Sequence, residues 1–237
     1  MSTDKDRPSI EKEKTKRRIA ELFLDPVRGN FDIDHLKEIN RRIFQDLPKM
    51  GFSDVTPGIF RKPVPKGLDW VKRRQLESAR ISTFVAYSPM DKNAENELAD
   101  ILKAANPDKL SKFDPMIFSN AIANIYSLAD YIHPFADGNS RTLREFTREL
   151  AEKCDYEIEW EQFNKQESGR DILYIARDLN VNSIALPRIK SLNARRDIVY
   201  TLDILEGNRD LQSLLPDVVK RIRYKSVGHS RDGGFGL

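Results

Sequence analysis

The stretch HPFADGNSRTLR, residues 133–144, decides how this chain is read. It gathers one histidine, one acid, a Gly-Asn pair and two arginines three positions apart. An apolar run over residues 116–132 precedes it, and Leu143, Phe146 and Leu150 follow at helical spacing. The motif therefore reads as a loop entering a helix N-terminus. Backbone N–H groups point outward there and the helix dipole favours anions, so phosphate can be held. A histidine beside a phosphate cradle points to group transfer, with the imidazole taking a proton from an acceptor.

Each residue type has a chemical reason. His133 has an ordinary pKa of about 6.5 and can accept a proton at neutral pH. Pro134 cannot extend the preceding helix, and Phe135 should point inward and anchor the loop. Asp137 supplies hard oxygens that suit Mg²⁺ bridging two phosphates. Gly138 lets the backbone approach a ligand, and Asn139 can donate from its side chain. Arg141 and Arg144 fall one turn apart on one helix face and can fork onto phosphate oxygens.

HPFADGNSRTLR resembles the signature of the Fic family, His-Pro-Phe-x-Asp/Glu-Gly-Asn-Gly-Arg-x-x-Arg. Each fixed position matches except Ser140, which stands where the family has Gly. RGNFDIDHLKEINRRIFQDL, residues 28–47, is similar to the family's first core helix. The resemblance implies an all-α bundle with a small β-hairpin flap over the active site. It places the Fic domain over residues 18–215, with an N-terminal extension over 1–17 and a basic tail over 216–237. It further implies transfer of AMP from ATP to a Ser, Thr or Tyr hydroxyl of a target protein. In that scheme His133 deprotonates the hydroxyl and Asp137 holds Mg²⁺ on the α- and β-phosphates. Gly138, Asn139 and Ser140 form the anion hole, and Arg141 and Arg144 contact the distal phosphates.

A minority of the family carries Lys at the position of Ser140 and transfers phosphate. Ser is small, which favours the nucleotide. Three readings stand: a protein adenylyltransferase of the bacterial toxin or effector kind, a phosphotransferase or other-nucleotide transferase on the same fold, and an inactive binding scaffold. Many relatives carry an inhibitory helix, Ser/Thr-x-x-x-Glu-Gly/Asn, whose Glu pairs with the second motif arginine. Here Glu206-Gly207 lies one residue too far from Thr201, and Ser9 with Glu13 lacks the following Gly or Asn. Restraint is then expected from a separate small antitoxin, or is absent.

Composition bounds the rest. The 237 residues suffice for one domain with small appendages. Forty bases against 37 acids give +3, too balanced to argue for nucleic acid. The single Cys154 offers neither an intrachain disulfide nor a Cys-based metal site. No apolar run reaches the roughly 18 residues of a membrane span, and the start lacks a signal-peptide core. A cytoplasmic location is expected, with export into another cell still open. His35 and His229 read as structural, and Arg148 as a surface residue.

Along the chain, residues 1–9 should be disordered and 10–24 a short helix. Asp32 opens a second helix that Pro48 stops. Three prolines and two glycines break any helix over residues 50–65. GIFRKPV (58–64) and ISTFVAY (81–87) have strand composition. By position they form the flap, whose exposed edge would pair with the target main chain. Ile59, Phe60 and Arg61 are the docking candidates, and residues 66–80 could form a helix of their own. Helices are expected over 93–105, from Asn106 or Asp114, over 193–205, and over 211–222. Residues 157–160 should be a turn, 181–190 a loop, and the Gly-rich end should fray.

Overall fold

Short polar residues start most of the helices. Asp32, Asp91, Asn106, Asp114, Ser191 and Asp210 have extended backbone, and each accepts a bond from an N–H in the turn that follows. The computed structural model describes residues 7–164 and 168–222. Its elements in chain order are α1 (Arg7–Leu24), α2 (Ile33–Phe44), β1 (Trp70–Leu76), β2 (Ile81–Tyr87), α3 (Lys92–Leu102), α4 (Pro107–Leu110) and α5 (Pro115–Ile132). Then come α6 (Asn139–Lys153), β3 (Tyr156–Ile158), α7 (Gly169–Ala185), α8 (Leu192–Ile204), α9 (Leu211–Leu214) and β4 (Val219–Arg221). The fold is mostly helical with a small hairpin, as expected. No helix among the described residues is long and apolar enough to cross a membrane.

The apolar run before the motif becomes the central helix, α5. Phe118, Ile122, Ala123, Tyr126, Ala129 and Ile132 are fully buried along it. Helices α3, α6 and α7 pack on its flanks. A helix apolar around most of its girth belongs inside a bundle. The motif helix α6 buries Leu143, Phe146 and Leu150, the three positions singled out by spacing. Phe146 meets Phe31 and His35 edge-on, at 5.6 and 5.7 Å between ring centres. His35 is structural, its Nε2 lying 2.9 Å from Glu149 in the core.

The hairpin corrects the expected strand pairing. β1 pairs antiparallel with β2, from Trp70↔Tyr87 to Leu76↔Ile81. Residues 66–80 thus supply a strand and a turn rather than a helix. WVKRRQL carries no helical apolar period, and its burial follows its contacts across the sheet. Residues 58–64 form no strand of the hairpin; Phe60 makes one isolated bridge to Phe135. Pro57, Pro63 and Pro65 remove the donors a ladder needs there. Side chains from α7 and α8 hold the β2 backbone: Asn182 bonds Ala86 N and Phe84 O, and Thr201 accepts from Phe84 N. The far edge of β1 pairs with no strand among the described residues.

Other expectations shift in detail. α1 begins at Arg7 and runs unbroken past residue 17. Asn106 and Asp114 both act as caps, giving α4 and α5. α7 continues to Ala185, since Pro187 stops it only from the following turn. Residues 211–222 hold one short helix and then β4, because Pro216 and the β-branched Val218 and Val219 favour extension. β4 pairs with β3, so residues 156–158 are a strand rather than part of a turn. Arg148 is not a free surface residue: its side chain is 14% exposed and bridges Glu145 and Glu152. His229 and most of the expected C-terminal tail lie outside the described residues.

Candidate active site

Pro134 ends α5, and the chain turns at His133, the helix C-cap, with φ 49° and ψ 58°. A non-glycine residue in this left-handed region costs about 1–2 kcal/mol, and such strain gathers at functional positions. The loop that follows is closed by Asn139, whose Oδ1 accepts from Phe135 N (2.9 Å) and whose Nδ2 donates to Phe135 O (2.7 Å). Both ends of that amide are thus engaged inside the loop, which fixes the Asn139 side chain as a brace and leaves its backbone N–H facing the helix start. Phe135 is buried, as its apolar character required.

Gly138 caps α6 with φ 75° and makes no side-chain cap bond. A Cβ there would lie 2.0 Å from the Phe44 ring, so both conformation and space require glycine. Without a capping side chain, the first N–H groups of α6 form an open anion cradle. Asp137 stands beside it with its side chain 57% exposed. Its Oδ1 accepts from Gly138 N at 2.6 Å. Ser140 Oγ lies 3.4 Å from the buried Tyr126 hydroxyl.

The two arginines differ. Arg141 is held by Glu11 on α1 at 2.5 Å and by Thr15 Oγ1 at 3.2 Å, with its guanidinium over Phe44. Arg144 is half-buried; its Nε lies 3.4 Å from Ser140 O, and Tyr126, Tyr174 and Glu161 act on its charge. No carboxylate among the described residues bridges it, and burial lowers its pKa.

His133 is 7% exposed and enclosed by the hairpin. The Tyr87 ring lies 3.8 Å from the imidazole and Trp70 lies 5.4 Å away. Lys72 Nζ is 3.4 Å from Nε2, and Asp130 Oδ1 is 3.6 Å from Nδ1. Burial lowers the His133 pKa to about 4 against the pull of Asp130, so the ring is neutral at pH 7 and can accept a proton. Beneath it Arg177 of α7 grips Asp130 through two bonds of 2.9 Å. Burial pushes the Asp130 carboxyl up, but Arg177 and His133 outweigh it and hold it at about 2. A second buried pair, Arg74 with Asp178 at 2.8 Å, lies next to it.

The three docking candidates separate. Ile59 is 61% exposed, and Phe60 packs edge-on against Phe135. Arg61 donates to His133 O (2.7 Å), to Ser88 O (2.6 Å) and, through its backbone, to Pro134 O (2.8 Å). Its guanidinium stacks 3.7 Å over Trp70, and burial brings its pKa to about 10. Phe60 and Arg61 thus brace the motif loop from below the hairpin. Trp70, Lys72, Tyr87, Asp130, Arg177 and Glu11 are not among the residues expected from sequence. Asp130 had a legible signal: a lone acid in an apolar helix is buried with a partner. The hairpin residues had none, because only the pairing register brings them to His133.

The Fic/DOC family model matches residues 30–151. Protein adenylyltransferase VbhT of Bartonella schoenbuchensis is 28% identical over 155 residues, which are 65% of this chain and 28% of that protein. The chain therefore spans less than a third of that relative's length. The N-terminal Fic domain of a VirB-translocated Bep effector from Bartonella quintana, solved with ADP, has TM-score 0.60 and 16% identity, covering 94% of this chain and 89% of that one. The BepC protein of Bartonella tribocorum, solved with AMPPNP, has TM-score 0.59 and 12% identity, covering 94% and 90%. At such identities the structural likeness speaks for the fold. With the motif, the central helix and the hairpin all in place, the chain belongs to the Fic/DOC family.

Proposed function

We propose that this protein is a Mg²⁺-dependent protein adenylyltransferase that moves AMP from ATP to a Ser, Thr or Tyr hydroxyl of a target protein. One observation carries the reading: a neutral, buried imidazole stands five residues before Gly138, the N-cap of a helix with no side-chain cap, in one rigid loop. The acceptor hydroxyl loses its proton to His133 Nε2, and its oxygen attacks the α-phosphorus. The bond from that phosphorus to the bridging oxygen of the β-phosphate breaks, and pyrophosphate leaves. Acceptor access to Nε2 displaces Lys72 Nζ. The N–H groups of Asn139 and Ser140 stabilise charge on the phosphates, joined by that of Gly138 once Asp137 releases it, while Arg141 and Arg144 meet the distal ones.

No group of three or more His, Cys, Asp or Glu that could hold a metal ion exists among the described residues. A single exposed carboxylate, Asp137, fits a Mg²⁺ that keeps several waters and takes phosphate oxygens as its other ligands. Such an ion would neutralise charge on the α- and β-phosphates. The relative named as an adenylyltransferase, and the ADP and AMPPNP in similar structures, support nucleotide use. The turn of the Ser140 hydroxyl toward Tyr126 supports AMP over phosphate transfer, since it leaves the cradle to backbone donors as glycine would. The edge of β1 that no described strand pairs supports docking of an extended target segment, and the exposed Ile59 supports an apolar contact with it.

A role as a delivered bacterial effector or toxin agrees with the VirB-translocated proteins of similar fold. A small acidic antitoxin would have an obvious counterpart in Arg144, which no described carboxylate satisfies. Incubation of the full chain with ATP labelled at the α- or the γ-phosphate and a cell lysate tests the activity. The expected result is protein label from the α-position only. Label from the γ-position alone would replace adenylyl by phosphate transfer, and no ATP consumption would leave a binding scaffold.

A further inference from the structure

Two independent contacts fix which nitrogen of His133 carries the proton. Lys72 Nζ faces Nε2 at 3.4 Å. An ammonium has donors and no lone pair, so the nitrogen it faces is the unprotonated one. The proton of the neutral ring then sits on Nδ1. That atom is sealed from solvent and has no hydrogen-bond partner within ordinary distance. The nearest acceptor is Asp130 Oδ1, at 3.6 Å, one helical turn back on α5. The left-handed backbone at His133 swings the ring over that turn.

Asp130 cannot move away. It is 1% exposed, and Arg177 holds both of its oxygens. Arg177 is itself buried, with Tyr126 and Tyr174 near its guanidinium. Resting on the reading of His133 as general base, we infer that Asp130, clamped by Arg177, is a positioning residue that holds the His133 proton on Nδ1 and keeps Nε2 free for the acceptor hydroxyl. Orientation of a base by a third group is a recurrent arrangement, and distances in such sites shorten when substrate binds. The ion pair links α5 to α7, so the orientation of the base depends on packing remote from the phosphate cradle. The charged and titratable groups around the ring are Asp130 from α5, Arg177 from α7, and Lys72 and Tyr87 from the hairpin, with Arg61 on the His133 carbonyl.

The test uses the full chain labelled with ¹⁵N-histidine at neutral pH, where nitrogen shifts report the tautomer. His133→Ala identifies the His133 signals among the three histidines. The wild type should show a protonated Nδ1 and a bare Nε2. A proton on Nε2 in the wild type overturns the inference without any variant. Asp130→Leu with Arg177→Met, made in a Lys72→Met background so that no ammonium faces Nε2, removes both charges together, which buried pairs often tolerate when volume is kept. This double variant should melt cooperatively, lose the tautomer preference and transfer label from α-labelled ATP roughly 10²-fold more slowly, with ATP binding intact. Arg177→Lys keeps the charge pair and should restore the wild-type tautomer. A folded double variant with the wild-type tautomer, or with a rate within about twofold of its Lys72→Met background, would also overturn it. Should His133→Ala retain full transfer, the base assignment falls, while the tautomer measurement still decides what Asp130 does.

Discussion

The two ends of the motif loop are built to different standards. At the His133 end every neighbour is buried or packed: Asp130 and Arg177 beneath, Tyr87 and Trp70 above, and Arg61 on the backbone carbonyl. At the phosphate end the Asp137 side chain is more than half exposed, and Arg141 is held by a helix from outside the motif. Proton transfer needs an atom in one place and one protonation state. Charge neutralisation acts over longer range and tolerates side chains that adjust to the ligand. The contrast teaches that the fold invests its rigidity where direction matters.

The largest effect should follow loss of the fixed end. His133→Ala should reduce transfer by roughly 10²–10⁴-fold while ATP affinity, measured by calorimetry, stays the same. A weakened ATP affinity with an unchanged single-turnover rate would place His133 in binding instead. The ring also links stability to pH. Its folded pKa, about 4, lies below the ordinary value of about 6.5, so the unfolded chain binds more protons between them. This contribution is present above about pH 6.5 and is lost as pH falls toward 4. In His133→Ala the melting temperature should vary less with pH over that window, and an unchanged slope would contradict the burial argument.

Gly138→Ala joins the two ends and should come next. The added methyl meets the Phe44 ring in a backbone region that alanine avoids. The expected cost is about 1–3 kcal/mol of stability, read from denaturant melts, together with a displaced cradle. Gly138→Ala paired with Phe44→Leu should recover part of it; no recovery would mean that conformation, rather than contact, dominates.

At the adaptable end Arg144→Ala should weaken ATP binding by about 10-fold, with ADP affected less, because a half-buried guanidinium that no described carboxylate bridges can turn to the outermost phosphate. Equal loss for ADP and ATP would move its contact inward. Smallest of all, Glu11→Gln should release Arg141 and tighten ATP binding by roughly 2–5-fold, less at high salt. Weaker ATP binding in Glu11→Gln would show that Glu11 orients Arg141 for the nucleotide instead of competing with it.

How much could be read in advance follows the same division. The motif, its helix and the apolar face of α6 were legible, because each depends on neighbours within a dozen residues. Asp32, Asn106 and Asp114 announced their helices for that reason too. The enclosure of His133 was not legible. Trp70, Lys72 and Tyr87 reach it only through the β1–β2 register, and Arg177 only through the packing of α7 on α5. The strand expected over residues 58–64 failed for a related reason. GIFRKPV has extended composition, yet Pro63 within it, Pro57 and Pro65 on either side, and the pull of Arg61 on the carbonyls of Ile132 and His133 make it a brace for the loop. Glu11 was missed because α1 lies outside the motif and its contact with Arg141 spans 130 positions.

The central claim is the transfer of AMP by an imidazole beside a helix-end cradle. The most direct measurement is the intact mass of one modified target after incubation with wild-type protein, with Ser140→Gly and with His133→Ala. A mass gain of one AMP from the first two and none from the third is the result predicted. A gain of phosphate alone from the wild type, shifting to a nucleotide in Ser140→Gly, would contradict the account, since Ser140 would then direct the chemistry rather than stand in for glycine.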